Sequence, residues 1–211
     1  IVDSTNGLIN VPTGIRYDGD GACDEISFFG GEGFGGDNTL FGYDRGVDTL
    51  TLQQTGGPTH TSDTLAVGAT VGSGQSTIVG AGAGNTQTVY FEELEPIVDG
   101  VPSANLVIDG GTVGTLLNAD NAINYEASDL FGPTWGTVTI DAFEPIHFTN
   151  KTTLRIDAEN GSDEINLNHP SSPTGLTGDC DMIGGNGTQP ICVFGGDPTA
   201  SDDVLVNGSA A

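Results

Sequence analysis

Positive charge is nearly missing from this chain: Lys151, Arg16, Arg45 and Arg155 face 29 acidic residues, for a formal net charge of -25 over 211 residues. A surface of that sign repels phosphate backbones and anionic headgroups, which excludes nucleic acid as a partner and argues against anionic membranes. It suits metal cations, and it also keeps a β-rich protein soluble. No apolar run is long enough to cross a bilayer, so membrane insertion is not expected. Aromatic residues make up 7% of the chain, with a single tryptophan, while glycine occurs 34 times. Because glycine costs a helix interior roughly 1 kcal/mol, this balance describes short strands joined by tight turns, with very little helix.

Enzyme signatures are missing as well. His60, His147 and His169 stand in unrelated contexts with no zinc-like His/Cys spacing, and there is no G-x-S-x-G, P-loop or dinucleotide fingerprint. A lyase acting on acidic polysaccharides needs a cationic base and positive charge to hold uronates, and four basic residues supply little of either. Carboxylate pairs such as Asp179/Asp181 or Glu92/Glu93 occur through abundance alone. No catalytic residue is assigned, and a polysaccharide-active protein is the runner-up reading.

What is present is an internal repeat. Thr88 to Ile97 reads TVYFEELEPI, and Thr137 to Ile146 reads TVTIDAFEPI, 49 positions later. NLVIDG from Asn105 is answered by TLRIDA from Thr153, and NAINYEA from Asn121 by DEINLNH from Asp163. Six times an acid or amide precedes an apolar alternation, at Asp24, Asp48, Asp63, Asn121, Asp163 and Asp202. Asp and Asn side chains satisfy turn amides, so each phrase reads as a turn feeding a strand. Self-similarity at this spacing predicts an all-β, right-handed parallel β-helix, a β-solenoid forming one domain over 1–211. Its less regular part, 1–84, reads as a cap, and 85–211 holds the clearer repeat units. An antiparallel β-sandwich is the alternative, because alternation alone does not distinguish parallel from antiparallel pairing.

The LEPI and FEPI phrases (Leu94 to Ile97, Phe143 to Ile146), the stretch GSDEINLNHPSSPTGLT from Gly161 and the closing GGDPTASDDVLVNG from Gly195 carry a resemblance. Together they resemble repeat modules of very large secreted or surface-displayed bacterial proteins, over the C-terminal two thirds of the chain. That resemblance implies an extracellular matrix, adhesion or cell-envelope role with calcium as a common stabiliser, and it brings no catalytic residue. GGEGFGGDNTLFG from Gly30 is partly similar to the glycine-rich calcium-binding nonapeptide, but its register is broken and it is not iterated.

Hard cations want several carboxylate and carbonyl oxygens. DGDGACDE offers Asp18, Asp20, Asp24 and Glu25 as a candidate calcium loop, Asp179 with Asp181 forms a second, and Asp37, Asp44 and Asp48 a third; acid-rich turns are equally the ordinary solvated corner. Cys180 and Cys192 are spaced for a local disulfide, which implies an oxidising compartment, while Cys23 has no obvious partner. Asn150, Asn160, Asn186 and Asn207 open Asn-x-Ser/Thr triplets, three of them Asn-Gly pairs that turn chemistry also explains. The chain begins at Ile1 without an initiator Met or apolar signal segment and reads as a processed or excised soluble piece. Trp135 is the best candidate for ligand binding, with Tyr90, Tyr125 and Phe131 as further sugar-stacking rings; the plainer reading makes Trp135 a loop anchor over the core end. The expected function is therefore an extracellular, non-enzymatic structural, assembly or adhesion module, stabilised by divalent cations. Its expected partners are copies of itself, other cell-surface proteins, or glycans.

Overall fold

The computed structural model describes residues 2–3, 15–18, 49–54, 58–81, 85–111, 120–169, 175–180, 189–196 and 201–208. Among these, the apolar alternation of the sequence becomes strands, and no helix occurs. In chain order they are β1 (Val2–Asp3), β2 (Ile15–Asp18), β3 (Leu50–Gln53), β4 (His60–Val67) and β5 (Gly74–Val79). Next come β6 (Thr86–Glu92), β7 (Ile97–Asp99), β8 (Ser103–Asp109), β9 (Ala122–Ser128) and β10 (Gly132–Ile140). The last are β11 (Ile146–Phe148), β12 (Lys151–Asp157), β13 (Glu164–Leu167), β14 (Ile191–Phe194) and β15 (Asp203–Val206). One sheet has the order β1, β3, β7, β11, β10, β9, β13, β15; the other runs β14, β12, β8, β4, β5, β6, β2.

This arrangement overturns the parallel β-helix. Four neighbouring pairs are antiparallel, β4 with β5, β5 with β6, β9 with β10 and β10 with β11, so both sheets are mixed. Two open sheets share one core, which is sandwich-like, and among the described residues there are no three stacked parallel faces. The repeat itself divides between the sheets. Its later halves lie side by side in parallel, Ile97 against Ile146 and Leu106 against Leu154, while Ile123 pairs with Ile165. The TV halves do not meet: Thr88 to Phe91 belongs to β6 in one sheet and Thr137 to Ile140 to β10 in the other. An alternating strand carries no mark of its direction, and this is why the sequence admits either outcome.

Inward positions form apolar rows across each sheet. Leu65, Ile108 and Ile156 make one row, and Ile140, Ile123 and Ile165 another, all fully buried. Each such side chain contributes roughly 1.5–3 kcal/mol of apolar burial. Two rows are interrupted by acid. Asp99 lies between Leu52 and Phe148 in the first sheet, and Asp63 lies beside Leu106, which pairs with Leu154, in the second.

Of the six acid-before-strand phrases, those at Asn121, Asp163 and Asp202 do act as corners, whereas Asp63 lies inside β4 and points into the core, and Asp24 and Asp48 lie outside the described residues. Asp163 Oδ1 accepts from the Asn121 amide at 2.8 Å, and Asp202 Oδ1 accepts from the Asp163 amide at 3.1 Å. Each acid thus ties its own turn to the neighbouring one. The two Glu-Pro-Ile phrases bring Glu95 and Glu144 together, and burial first, then a hydrogen bond and repulsion from Glu95, push the Glu144 carboxyl up to about 7. A carboxyl raised in the folded state supports folding fully below its ordinary range and loses that support as pH rises through about 7. Glu144→Gln is therefore expected to leave stability near pH 5 almost unchanged and to raise it near pH 9, by a few tenths of a kcal/mol at this partly exposed site. Urea midpoints at the two pH values check this; a variant weakened at both would contradict it.

Candidate functional site

The hairpin of β9 and β10 carries an irregularity that re-aims one side chain. Gly132 pairs with Ser128 and Gly136 with Ala127, so one step along β9 spans four along β10, and Pro133, Thr134 and Trp135 bulge from the ladder. A bulge bends its strand and turns side chains away from the regular alternation. Trp135 is half-buried and stacks on Phe131 of the hairpin tip, with ring centroids 4.6 Å apart and planes 29° from parallel. Phe131 is 42% exposed and its neighbour Leu130 61%, so the stack opens to solvent as an apolar platform. Glu126, Asp129, Pro133 and Thr134 of the same hairpin are exposed as well.

Beneath the platform the support is polar and buried. The His147 ring meets Phe131 edge-on at 5.5 Å, and its Nδ1 lies 2.9 Å from Ser128 Oγ and 2.8 Å from Thr137 Oγ1. Ser128 Oγ also accepts from the Phe131 amide at 3.1 Å, which pins the hairpin tip. Burial lowers the His147 pKa, against a smaller upward pull from Asp129, so the imidazole is neutral at physiological pH. On the core side, a Cβ on Gly136 would stand 2.5 Å from the Phe148 ring, and only glycine lets β10 lie against Phe148 and Tyr125 there.

The sequence candidates fall out unevenly. Trp135 and Phe131 come together, whereas Tyr125 is buried, stacked between Phe148 and His169, and Tyr90 lies on β6 in the other sheet. Cys180 and Cys192 are joined by a disulfide that ties β14 to the preceding segment. Asp179 beside it is exposed. Asp18 ends β2 with its side chain outside the description, and Asp20, Cys23, Asp24, Glu25, Asp37, Asp44, Asp48 and Asp181 lie outside the described residues. Among the described residues, no group of three or more His, Cys, Asp or Glu side chains is arranged to hold a metal ion.

Sequence reasoning missed a second cluster, in the core between the sheets. Lys151 Nζ donates to Asp63 Oδ2 at 3.3 Å and to the Val101 carbonyl at 2.7 Å, and Asp99 Oδ2 stands 2.6 Å from the same nitrogen. That last contact is close but is not aligned as a hydrogen bond. All three side chains are fully buried. Burial above all, and next the Asp63 charge, push the Asp99 carboxyl up to about 8, although Lys151 pulls the other way. At neutral pH Asp99 is thus mostly the protonated acid. His60, on β4, also faces the lysine, and its pKa is lowered by burial first and then by the Lys151 charge. A signal for this cluster existed: matching LEPIVDG to FEPIHFT sets Asp99 where the other copy has Phe148.

Compared with family models, with curated proteins and with solved structures, the chain matches none of them.

Proposed function

We propose that this chain is an extracellular carbohydrate-binding module, with the Phe131–Trp135 stack as the surface on which a sugar ring lies. The observation that carries the reading is the three-residue bulge, which seats Trp135 against an exposed Phe131 instead of folding it into the core. Flat aromatic faces complement the apolar faces of sugar rings, and nearby carboxylates accept their hydroxyl hydrogens. Asp129, exposed in the hairpin tip beside Phe131, is the acceptor on hand. The charge of -25 favours neutral glycans over uronates. The Cys180–Cys192 disulfide supports an oxidising, extracellular setting, as does the resemblance to secreted repeat modules.

Trp135 is the only tryptophan, so its emission reports on the platform alone. Titration with soluble neutral oligosaccharides (cello-, xylo-, manno- and chito-series) is expected to shift or quench that emission with at least one series. Phe131→Ala is expected to weaken the response about tenfold or more, as loss of an aromatic anchor does. Unchanged emission throughout the panel, or an unweakened response in Phe131→Ala, would remove the reading.

Self-association is a second reading, favoured by β15. Among the described residues it ends its sheet, all four of its residues are exposed, and Val204, Leu205 and Val206 are more than half accessible. An apolar edge strand is a template for a strand of another copy. Light scattering of the purified chain distinguishes this reading, since a monomer at all concentrations excludes it.

A further inference from the structure

Lys151 is the only lysine in the chain, and it is 1% exposed. Its nitrogen donates to Asp63 Oδ2 and to the Val101 carbonyl, while Asp99 Oδ2 stands 2.6 Å away without the alignment of a hydrogen bond, so the nitrogen is pressed against a carboxyl that does not hold it as an acceptor. We propose that Lys151 and Asp99 condense into an intramolecular amide, with Asp63 as the carboxylate that takes the proton of the amine.

The step balances within the three side chains. The ammonium gives one proton to the Asp63 carboxylate. The freed amine attacks the Asp99 carboxyl carbon, the new C–N bond forms, and the tetrahedral centre loses its hydroxyl. A second amine proton leaves with that hydroxyl, by way of Asp63, so that one water is released and Asp63 ends protonated. Nothing is oxidised or reduced. The raised pKa of Asp99 keeps it in the acid form that can react, since a carboxylate would repel the amine and offer no leaving hydroxyl.

The surroundings favour the product. Leu52 and Phe148 flank Asp99 in its row and Leu106 lies next to Asp63, so the site is closed, and its remaining polar contacts are few: Ser76 Oγ donates to Asp63 Oδ1 at 3.4 Å, the Val101 amide donates to Asp99 Oδ1 at 3.0 Å, and His60 faces the lysine. Holding amine and acid together in one geometry supplies effective concentrations on the order of 10⁵ M or more, which a free amine and acid in water never reach. The amide also replaces a buried charged cluster with a neutral linkage, which removes a standing desolvation penalty.

Intact mass of the reduced, denatured wild-type chain is the test. The expected mass is lower than that of the sequence by one water. A Glu-specific protease cuts between the two residues at Glu126 and should still release one peptide species carrying both Asp99 and Lys151. An amine-reactive ester in denaturant should then label only the chain terminus. Lys151→Arg and Asp63→Asn are both expected to keep the full mass, and Asp63→Asn to regain a labelled Lys151. A wild-type chain at full mass overturns the proposal. So does a one-water loss with Lys151 still reactive, which a succinimide at Asp99-Gly100 would give. An amide that persists in Asp63→Asn removes Asp63 from the mechanism. The wild-type result stands whether or not either variant folds.

Discussion

Lys151→Met is expected to cost about 3–5 kcal/mol of stability at neutral pH, the range seen when one partner of a buried ion pair is removed. Asp63 and Asp99 would then share a closed space whose other donors are the Ser76 hydroxyl and the Val101 amide, with no lysine to offset them. Without the cation the Asp99 carboxyl is still harder to ionise in its buried place, so the penalty should grow as pH rises and shrink towards acid. In the linked chain there is no ion pair to break, and the loss is of another kind. Linking Asp99 to Lys151 closes a loop of roughly fifty residues, and by analogy with a disulfide of that span its absence removes about 4 kcal/mol. Urea unfolding near pH 5 and pH 7 distinguishes the two origins: a loss of ion pairing shrinks with acid and a loss of loop closure does not. A variant as stable as wild type at both pH values would show that the cluster contributes nothing to the fold.

Phe148→Ala carries the second large expectation, about 3–5 kcal/mol, because it empties a fully buried ring site between Tyr125 and Gly136. Gly136→Ala fails for the opposite reason. Its Cβ would meet Phe148 Cζ at 2.5 Å and Tyr125 Cε2 at 2.9 Å, and overpacking of that kind costs about 1–3 kcal/mol. The double variant should therefore be more stable than the sum of the two losses implies, by at least about 0.5 kcal/mol, since the alanine methyl enters space the ring has left. Strictly additive losses in thermal or urea unfolding would mean that Phe148 does not set the glycine requirement. The platform should respond as well, because Gly136 closes the bulge that presents Trp135.

How far the sequence leads depends on the kind of information each feature needs. Short strands, corner acids and the kinship of β7 with β11 and of β8 with β12 were legible, because each is written in local alternation and in repeated phrases. Strand direction was not, and β5 and β10 enter as antiparallel members that break the expected parallel stacking. Similar wording did not secure similar placement either: TVYF lies beside β5 and β2, whereas TVTI lies beside β9 and β11. Trp135 stood out by rarity, but the bulge that exposes it is a mismatch in pairing count and shows only when both strands are in view. Lys151 was hidden by the opposite effect. Among so many acids a lone cation reads as ordinary surface charge, and only the facing sheets reveal that two particular aspartates enclose it.

The unlike pairings also divide the molecule mechanically. β4, β8 and β12 run side by side in one direction, so tension drawn along them strains a whole ladder of hydrogen bonds together, in shear. The antiparallel pair β9 and β10 is joined at a tight tip, and a pull on its open end separates bonds one after another. Under traction the three-strand block therefore resists as a unit, whereas the bonds between β9 and β10 are loaded singly, with β11 and β13 on either side sharing the hold on the aromatic hairpin.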